Sequence, residues 1–187
     1  MSKAWNKKIF KHIQEHVDQA SKDLADERGA CPDAADYGYN ERFSNKTAIA
    51  PTASISIICG GASPGVEPVA ANSYTHKTLS GSFNVKNRYL VELLEKHGKN
   101  TDDVWSGITT NQGSVSHLDF LTDLEKDVFK TAFELDQKWI IELSGDRTPY
   151  ISQAQSINLF VPADIHKREL HKIHFDAWKK GLKSLYY

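Results

Sequence analysis

The sequence predicts an α/β protein, and three observations carry that prediction. Windows with apolar residues at three- and four-residue steps recur along the chain, as amphipathic helices require. Short β-leaning runs of four to ten residues lie between them. Glycine and proline separate the two kinds of segment instead of collecting in one linker. The 187 residues suffice for one ordinary domain, with no internal repeat or low-complexity stretch.

Residues 5–26 form the leading amphipathic helix of the chain, with Phe10, Ile13, Val17, Ala20 and Leu24 on one face and Gly29 beyond its end. "CPDAADYGYNERFSN" reads as loop, and Thr47–Ala50 as a short β-leaning segment stopped by Pro51. "HKTLSGSFNV" has strand character broken at Gly81, and Leu90–Lys96 is helical up to Gly98. "TDLE" at 122–125 is a capping box opening a helix that carries Leu124, Val128, Phe129, Ala132 and Phe133. "QKWIIELSGDR" is a further helix closing near Gly145, and "SINLFV" a strand stopped by Pro162. Asp164 then caps a helix with Leu170, Ile173, Ala177 and Trp178 on one face, and Gly181 ends it. "LKSLYY" is a strand-like tail. A chain ending on Leu185-Tyr186-Tyr187 reads as cut inside its last strand, as a piece of something larger.

Apolar residues make up 40% and charged residues 25%, normal for a soluble globular chain. The net charge of −1 gives no basic excess that would argue for nucleic acid or an anionic membrane. No run of about 18 apolar residues suggests a spanning helix, and "MSKAWNKKIF" lacks the apolar core of a signal peptide. Cys31 and Cys59 stand far apart, with no C-x-x-C, which fits a reducing compartment and burial as small hydrophobes.

The segment "TAIAPTASISIICGGASPGVEP", residues 47–68, holds no charge before Glu67. A strand, Pro51, Thr52-Ala53-Ser54-Ile55-Ser56 and a helix start describe an anion site. The first N–H groups of a helix lack partners and sit at the positive end of the macrodipole. Small residues admit a phosphate to those groups, and Thr and Ser hydroxyls add donors. Pro51 gives up an N–H there and stiffens the entry. A helix cap without a ligand is the alternative reading. "CGGASPG" has no lysine and is not a Walker A loop; Gly60, Gly61 and Gly65 are expected to supply unusual turn angles. "HIQEH", His12–His16, matches the H-x-x-E-H pattern of inverted zinc proteases, which makes a zinc hydrolase the remote alternative. It needs a third ligand, and solvated histidines are the expected reading, as for His171 and His174. Lys7-Lys8 and Lys179-Lys180 read as solvated faces.

Taken in order, "ERGACP", "IAPTASIS", "VEP", "LSGSF", "TAFELD", "QAQSINLF" and "AWKKGLKSLYY" resemble the large, catalytic subunit of class I ribonucleotide reductase. The resemblance implies that residues 1–187 are the C-terminal portion of that subunit's ten-stranded α/β barrel, incomplete alone and cytoplasmic. It also implies that the P-T-A-S loop holds the diphosphate of a ribonucleoside diphosphate, with Thr52, Ala53, Ser54 and Ile55 on the phosphates and Pro51 and Ser56 flanking. Tyr186 and Tyr187 would be the radical-relay pair, where electron and proton move together between adjacent phenols. Neighbours in a regular strand point to opposite faces, so a stacked pair demands local distortion there.

By the same resemblance the segment binds no cofactor or metal itself. The dimetal-tyrosyl radical cofactor belongs to the partner small subunit, and ATP/dNTP effectors bind elsewhere in the full large subunit. Cys31 and Cys59 match none of the family's catalytic cysteines, and Asn87-Arg88 stands where Asn-Pro is common. The expected partners are the remainder of the large subunit, the small subunit, and thioredoxin or glutaredoxin for the full enzyme. Self-association through an exposed barrel face is also expected. The chain alone is expected to be inactive; a naturally split C-terminal subunit, active when docked to an N-terminal half, is the alternative.

Overall fold

A computed structural model of the chain describes residues 2–60, 63–78 and 81–185. In chain order the helices are α1 (Ser2–Arg28), α2 (Pro32–Asp36), α3 (Ala53–Ile58), α4 (Arg88–Lys96), α5 (Asp102–Thr110), α6 (Asp123–Val128), α7 (Lys138–Arg147) and α8 (Lys167–Lys179). Strands β1 (Ser73–Thr78) and β2 (Gly81–Lys86) fall between α3 and α4. The fold is mixed helix and strand, and among the described residues its sheet does not close. The chain divides into two compact units, one of residues 1–51 with 137–187 and one of residues 52–136.

In the first unit, α7 packs against both α1 and α8. The inward side of α1 runs through Asn6, Phe10, Val17, Ser21 and Ala25, while Ile13 and Ala20 of the expected face are exposed. Asn6 donates to the carbonyl of Leu143 at 2.8 Å. Gly145 lies inside α7 and does not end it: a Cβ there would stand 2.9 Å from Cβ of Lys180, so glycine lets the end of α8 approach. Ions fasten the same three helices. Lys3 reaches Glu142 at 2.9 Å, Lys180 reaches Glu142 at 2.7 Å, and Lys7 reaches Asp146 at 3.2 Å. Lys7 and Lys180 are therefore fasteners, not merely solvated charges.

The segment around Thr47–Ile49 pairs in parallel with 152–156. Gln153 N–H donates to Thr47 O at 3.0 Å, Ile49 N–H to Ala154 O at 3.3 Å, and Ser156 N–H to Ile49 O at 2.8 Å. Beneath it lies a buried polar group. Arg147 Nε donates to Gln155 Oε1 at 2.6 Å, and its Nη2 donates to Ser144 Oγ at 2.8 Å. Gln155 Nε2 in turn donates to Ser144 O and Thr148 Oγ1, at 3.0 and 2.8 Å. "SINLFV" forms no strand; the isolated bridge from Ile49 falls on Gln155, the residue just before it. The cap of α8 is His166, whose ring nitrogen accepts from Arg168 N–H, and not Asp164. Its far end is a Schellman turn: Gly181, at φ 76°, donates to Trp178 O, and Leu182 to Ala177 O. Residues 182–185 are not strand, and Tyr186 and Tyr187 lie outside the described residues.

In the second unit, β1 and β2 form an antiparallel hairpin in register from Ser73–Lys86 to Thr78–Gly81. Leu90, Leu94, Trp105, Ile108, Val115, Leu118 and Leu121 make its apolar core. Asn87 caps α4 by accepting from Tyr89 N–H at 3.1 Å, so arginine at the next position does not disturb the helix start. Gly98, at φ 62°, ends α4 in a second Schellman turn, with Lys99 N–H on Leu94 O at 2.8 Å. The capping box at Thr122–Glu125 is present, but α6 stops at Val128. Ala132 and Phe133 belong to a separate 3₁₀ turn with its own box from Thr131 to Glu134. "TAFE" carries that signal in the sequence.

Asn72, 1% exposed, joins these parts. Its Nδ2 donates to Gly113 O at 3.0 Å and Phe129 O at 2.7 Å, and its Oδ1 accepts from Asn87 Nδ2 at 2.9 Å. Asn87 N–H also donates to Asn72 O at 2.9 Å. Gly113, at φ 81°, is required here because a Cβ would lie 2.4 Å from Cβ of Ala71. Truncating Asn72 would take their side-chain partner from the half-buried Asn87 amide and Phe129 carbonyl, at roughly 1–3 kcal/mol each. Asn72→Ala is therefore expected to destabilise this unit by about 3 kcal/mol, read as a lowered midpoint in urea unfolding followed by tryptophan fluorescence.

The ion cluster predicts an acid dependence. Hydrogen bonds from Lys180 and then Lys3 lower the Glu142 carboxyl from the usual 4.5 to about 2. A depressed carboxyl stabilises the fold fully above 4.5, and that stabilisation fades as pH falls from 4.5 toward 2. Glu142→Gln should be less stable than the parent at neutral pH, and the two should converge in acid unfolding followed by circular dichroism.

Candidate functional site

Residues 51–56 cross from the first unit into the second. Two residues beyond the paired Ile49, Pro51 turns the chain into α3. Ser56 N–H donates to Thr52 O at 2.7 Å, which makes Thr52 the residue before the first helical turn. The N–H groups of Ala53, Ser54 and Ile55 are then the first-turn groups that have no acceptor within a helix.

Thr52 does not cap them. Its N–H and its hydroxyl both donate to the carbonyl of Pro64, at 2.8 and 2.9 Å. This two-point contact ties the entry of α3 to the turn at 63–67. Ser56 is also turned inward: it is 7% exposed and its hydroxyl donates to Ala53 O at 2.8 Å. The sequence reading gave the Thr and Ser hydroxyls a share in binding, and two of the three are instead engaged with the backbone. Ala53, Ser54 and Ile55 are exposed, Ile55 by 58%. Three exposed residues thus carry the first-turn N–H groups, and among the described residues the Ser54 hydroxyl is not engaged with the backbone. Such a surface suits an anion that accepts several hydrogen bonds at once.

The turn that receives Thr52 depends on close packing. A Cβ at Gly65 would lie 2.5 Å from Oε1 of Glu67, so Gly65 is needed for space and not for an unusual φ. Ser63 Oγ donates to Glu67 O at 2.6 Å. Gly60 does take a left-handed angle, φ 86°, and Gly61 lies outside the described residues. Cys59, expected to be buried, is exposed where α3 ends, and Cys31 is half-buried. A six-residue helix is too short to bury a full turn of side chains at its end.

The remaining candidates sit apart from this loop. His12, Glu15 and His16 are exposed on α1, and the two rings sit tilted at 49° with centroids 4.0 Å apart. His16 Nδ1 contacts His12 O at 2.9 Å, which engages the nitrogen nearest the helix. Among the described residues no group of three or more His, Cys, Asp or Glu stands together, so the zinc reading lacks its third ligand. His171 and His174 are exposed as well. Among the described residues no helix is long and apolar enough to cross a membrane.

Comparison with known proteins bears on this arrangement. Residues 33–187 match the family described as ribonucleotide reductase, barrel domain. A ribonucleoside-diphosphate reductase large subunit from Invertebrate iridescent virus 6 is 51% identical over 183 residues, covering 96% of this chain and 19% of that protein. A putative large subunit from Frog virus 3 is 41% identical over 179 residues, covering 96% of this chain and 31% of that protein. Among solved structures, the Actinobacillus ureae class Id ribonucleotide reductase alpha subunit superposes with a TM-score of 0.88 at 40% identity, over 99% of this chain and 33% of that one. The chain thus spans between a fifth and a third of the length of these relatives. With its sequence blocks, its fold and most of its length in agreement, the chain belongs to the ribonucleotide reductase barrel-domain family.

Proposed function

We propose that this chain is the C-terminal part of the large subunit of a ribonucleoside-diphosphate reductase, and that residues 51–56 hold the diphosphate of the substrate. One observation carries the reading. The segment that resembles the family's phosphate loop engages its Thr52 and Ser56 hydroxyls with backbone carbonyls, and the first-turn N–H groups belong to three exposed residues, Ala53, Ser54 and Ile55. A diphosphate carries its charge on oxygens that accept such bonds, and charge-assisted hydrogen bonds are about twice as strong as neutral ones. Pro51 stiffens the approach, and Thr52 sets the angle of the loop through Pro64. Recognition by backbone leaves the base unread, so one loop can serve every ribonucleoside diphosphate.

In this reading Tyr186 and Tyr187 pass a radical from the small subunit toward the reacting cysteine of the upstream barrel. Losing an electron makes a phenol strongly acidic, and a neighbouring phenol is a matched acceptor for electron and proton together. The Schellman turn at Gly181 and the bond from Lys183 Nζ to Ser152 O hold the approach to that pair. The dimetal cofactor, the effector sites and the thiol reductants belong to other parts of the assembly. Reduction of the ribose 2′-carbon is the reaction assigned to the whole enzyme.

Ala53→Pro separates the phosphate role from helix stability, since proline is well tolerated at the first helical position yet has no N–H. In the full-length enzyme it should raise KM for ribonucleoside diphosphates about tenfold, the effect of losing ~1.4 kcal/mol of binding, with kcat little changed. An unchanged KM would sink the phosphate reading. Tyr187→Phe should abolish turnover while leaving equilibrium binding of the diphosphate intact; retained turnover would remove the relay role.

A further inference from the structure

Residues 47–68 carry one acidic side chain, Glu67, and the fold buries it to 4% exposure. Taking a carboxyl group out of water costs free energy, so its place in this otherwise neutral segment needs a physical reason. Contact with the substrate is not that reason. A carboxylate facing a diphosphate would repel it, and Glu67 is buried while Ala53, Ser54 and Ile55 are exposed.

The packing of Glu67 supplies another. Both its carboxyl oxygens lie against Gly65, so close that a Cβ there would stand 2.5 Å from Oε1 and 2.6 Å from Oε2. Gly65 shares a peptide with Pro64, whose carbonyl accepts the N–H and the hydroxyl of Thr52, at 2.8 and 2.9 Å. That peptide is planar, so a shift of Gly65 tilts the Pro64 carbonyl with it. Both donors of Thr52 go to this one oxygen, and Thr52 is the residue from which α3 starts.

Glu67 is itself held from behind. Ser63 Oγ donates to its carbonyl at 2.6 Å and closes the base of the turn. Two residues on, Val69 O accepts from Ala132 N–H at 2.9 Å, and Ala132 is fully buried. The carboxyl group therefore stands between a fixed point in the second unit and the peptide that grips Thr52.

We infer that Glu67 is a positioning residue for the substrate's diphosphate, an inference that rests on reading residues 51–56 as the phosphate loop. Packed on Gly65, its carboxyl group fixes the Pro64 carbonyl, and through Thr52 it aims the first-turn N–H groups of α3. A site made of several aligned donors tolerates displacements of only about 0.5 Å, so aim matters as much as the donors themselves.

The test uses the full-length large subunit, assayed with its small subunit for turnover of ribonucleoside diphosphates. Glu67→Ala should raise KM roughly tenfold with kcat little changed. Gly65→Ala crowds the same contact from the other side and should raise KM likewise. Glu67→Gln keeps the shape that lies on Gly65 and should recover most of the loss. A double-mutant cycle gives a readout that a general loss of stability would not move. Thr52→Val removes one of the two bonds to Pro64, and its effect on KM should not multiply with that of Glu67→Ala, because both act through one carbonyl. Multiplied effects, an unchanged KM in Glu67→Ala, or a Glu67→Gln variant no better than Glu67→Ala would each overturn the inference. Ala53→Pro separates this failure from that of the phosphate reading. If Ala53→Pro raises KM and Glu67→Ala does not, the loop binds the diphosphate and Glu67 does not aim it. If neither raises KM, both readings fall.

Discussion

The parallel contact between Thr47–Ile49 and residues 152–156 is the constraint on which the rest of the first unit depends. It joins stretches more than a hundred residues apart in sequence through three backbone hydrogen bonds. Gln155 stands at its centre, buried, and passes the contact on to Arg147, Ser144 and Thr148 of α7 and the turn after it. A buried guanidinium is costly unless every neighbour supplies an acceptor, and here Gln155, Ser144 and Asn6 do so. The chain leaves this anchored edge at Ile49 and reaches α3 within four residues.

The second unit relies on a different device. Its apolar cluster is made by α4, α5 and the loop residues that follow them, but apolar contact alone does not choose a register. Asn72 does. A single side chain binds the turn after α5, the end of α6 and the cap of α4 in one arrangement. Such a buried amide adds little net energy when satisfied and costs heavily when one partner is displaced. It therefore acts against alternatives more than it adds to stability.

What the sequence made legible was local. Thr122–Glu125, Gly98 and Gly181 act through bonds within one turn, and each was readable from residue type and spacing. The helix start after Pro51 was readable for the same reason, since Thr52 and Ser56 lie within one turn. Helix α5 went unread because Gly107 and the β-branched Thr109 and Thr110 weaken its pattern, and packing of Trp105 and Ile108 supplies what propensity does not. "SINLFV" failed as a strand because propensity alone does not make a ladder, and the bridge to Ile49 falls on Gln155, just before the run. The inward turn of the Thr52 and Ser56 hydroxyls was hidden because the carbonyl that Thr52 seeks, on Pro64, comes from a turn twelve residues on. The stretch at Arg42-Phe43 was read as plain loop because Ser21, whose hydroxyl accepts from both N–H groups, sits on α1.

The division of the chain has a kinetic consequence. The second unit is one continuous stretch, Thr52–Asp136, set inside a first unit whose halves flank it. Drawing together ends separated by a loop of this order costs about 4 kcal/mol in chain entropy before any contact repays it. The inner stretch has no such debt, because its hairpin and helices close over short separations. During synthesis it can reach its structure while α1 still waits for α7, with Asn6 and Phe10 lacking the partners they take from Leu143 and Arg147. Chaperone capture and proteolysis should thus concentrate on the first fifty residues until the polypeptide has been made past Gln155.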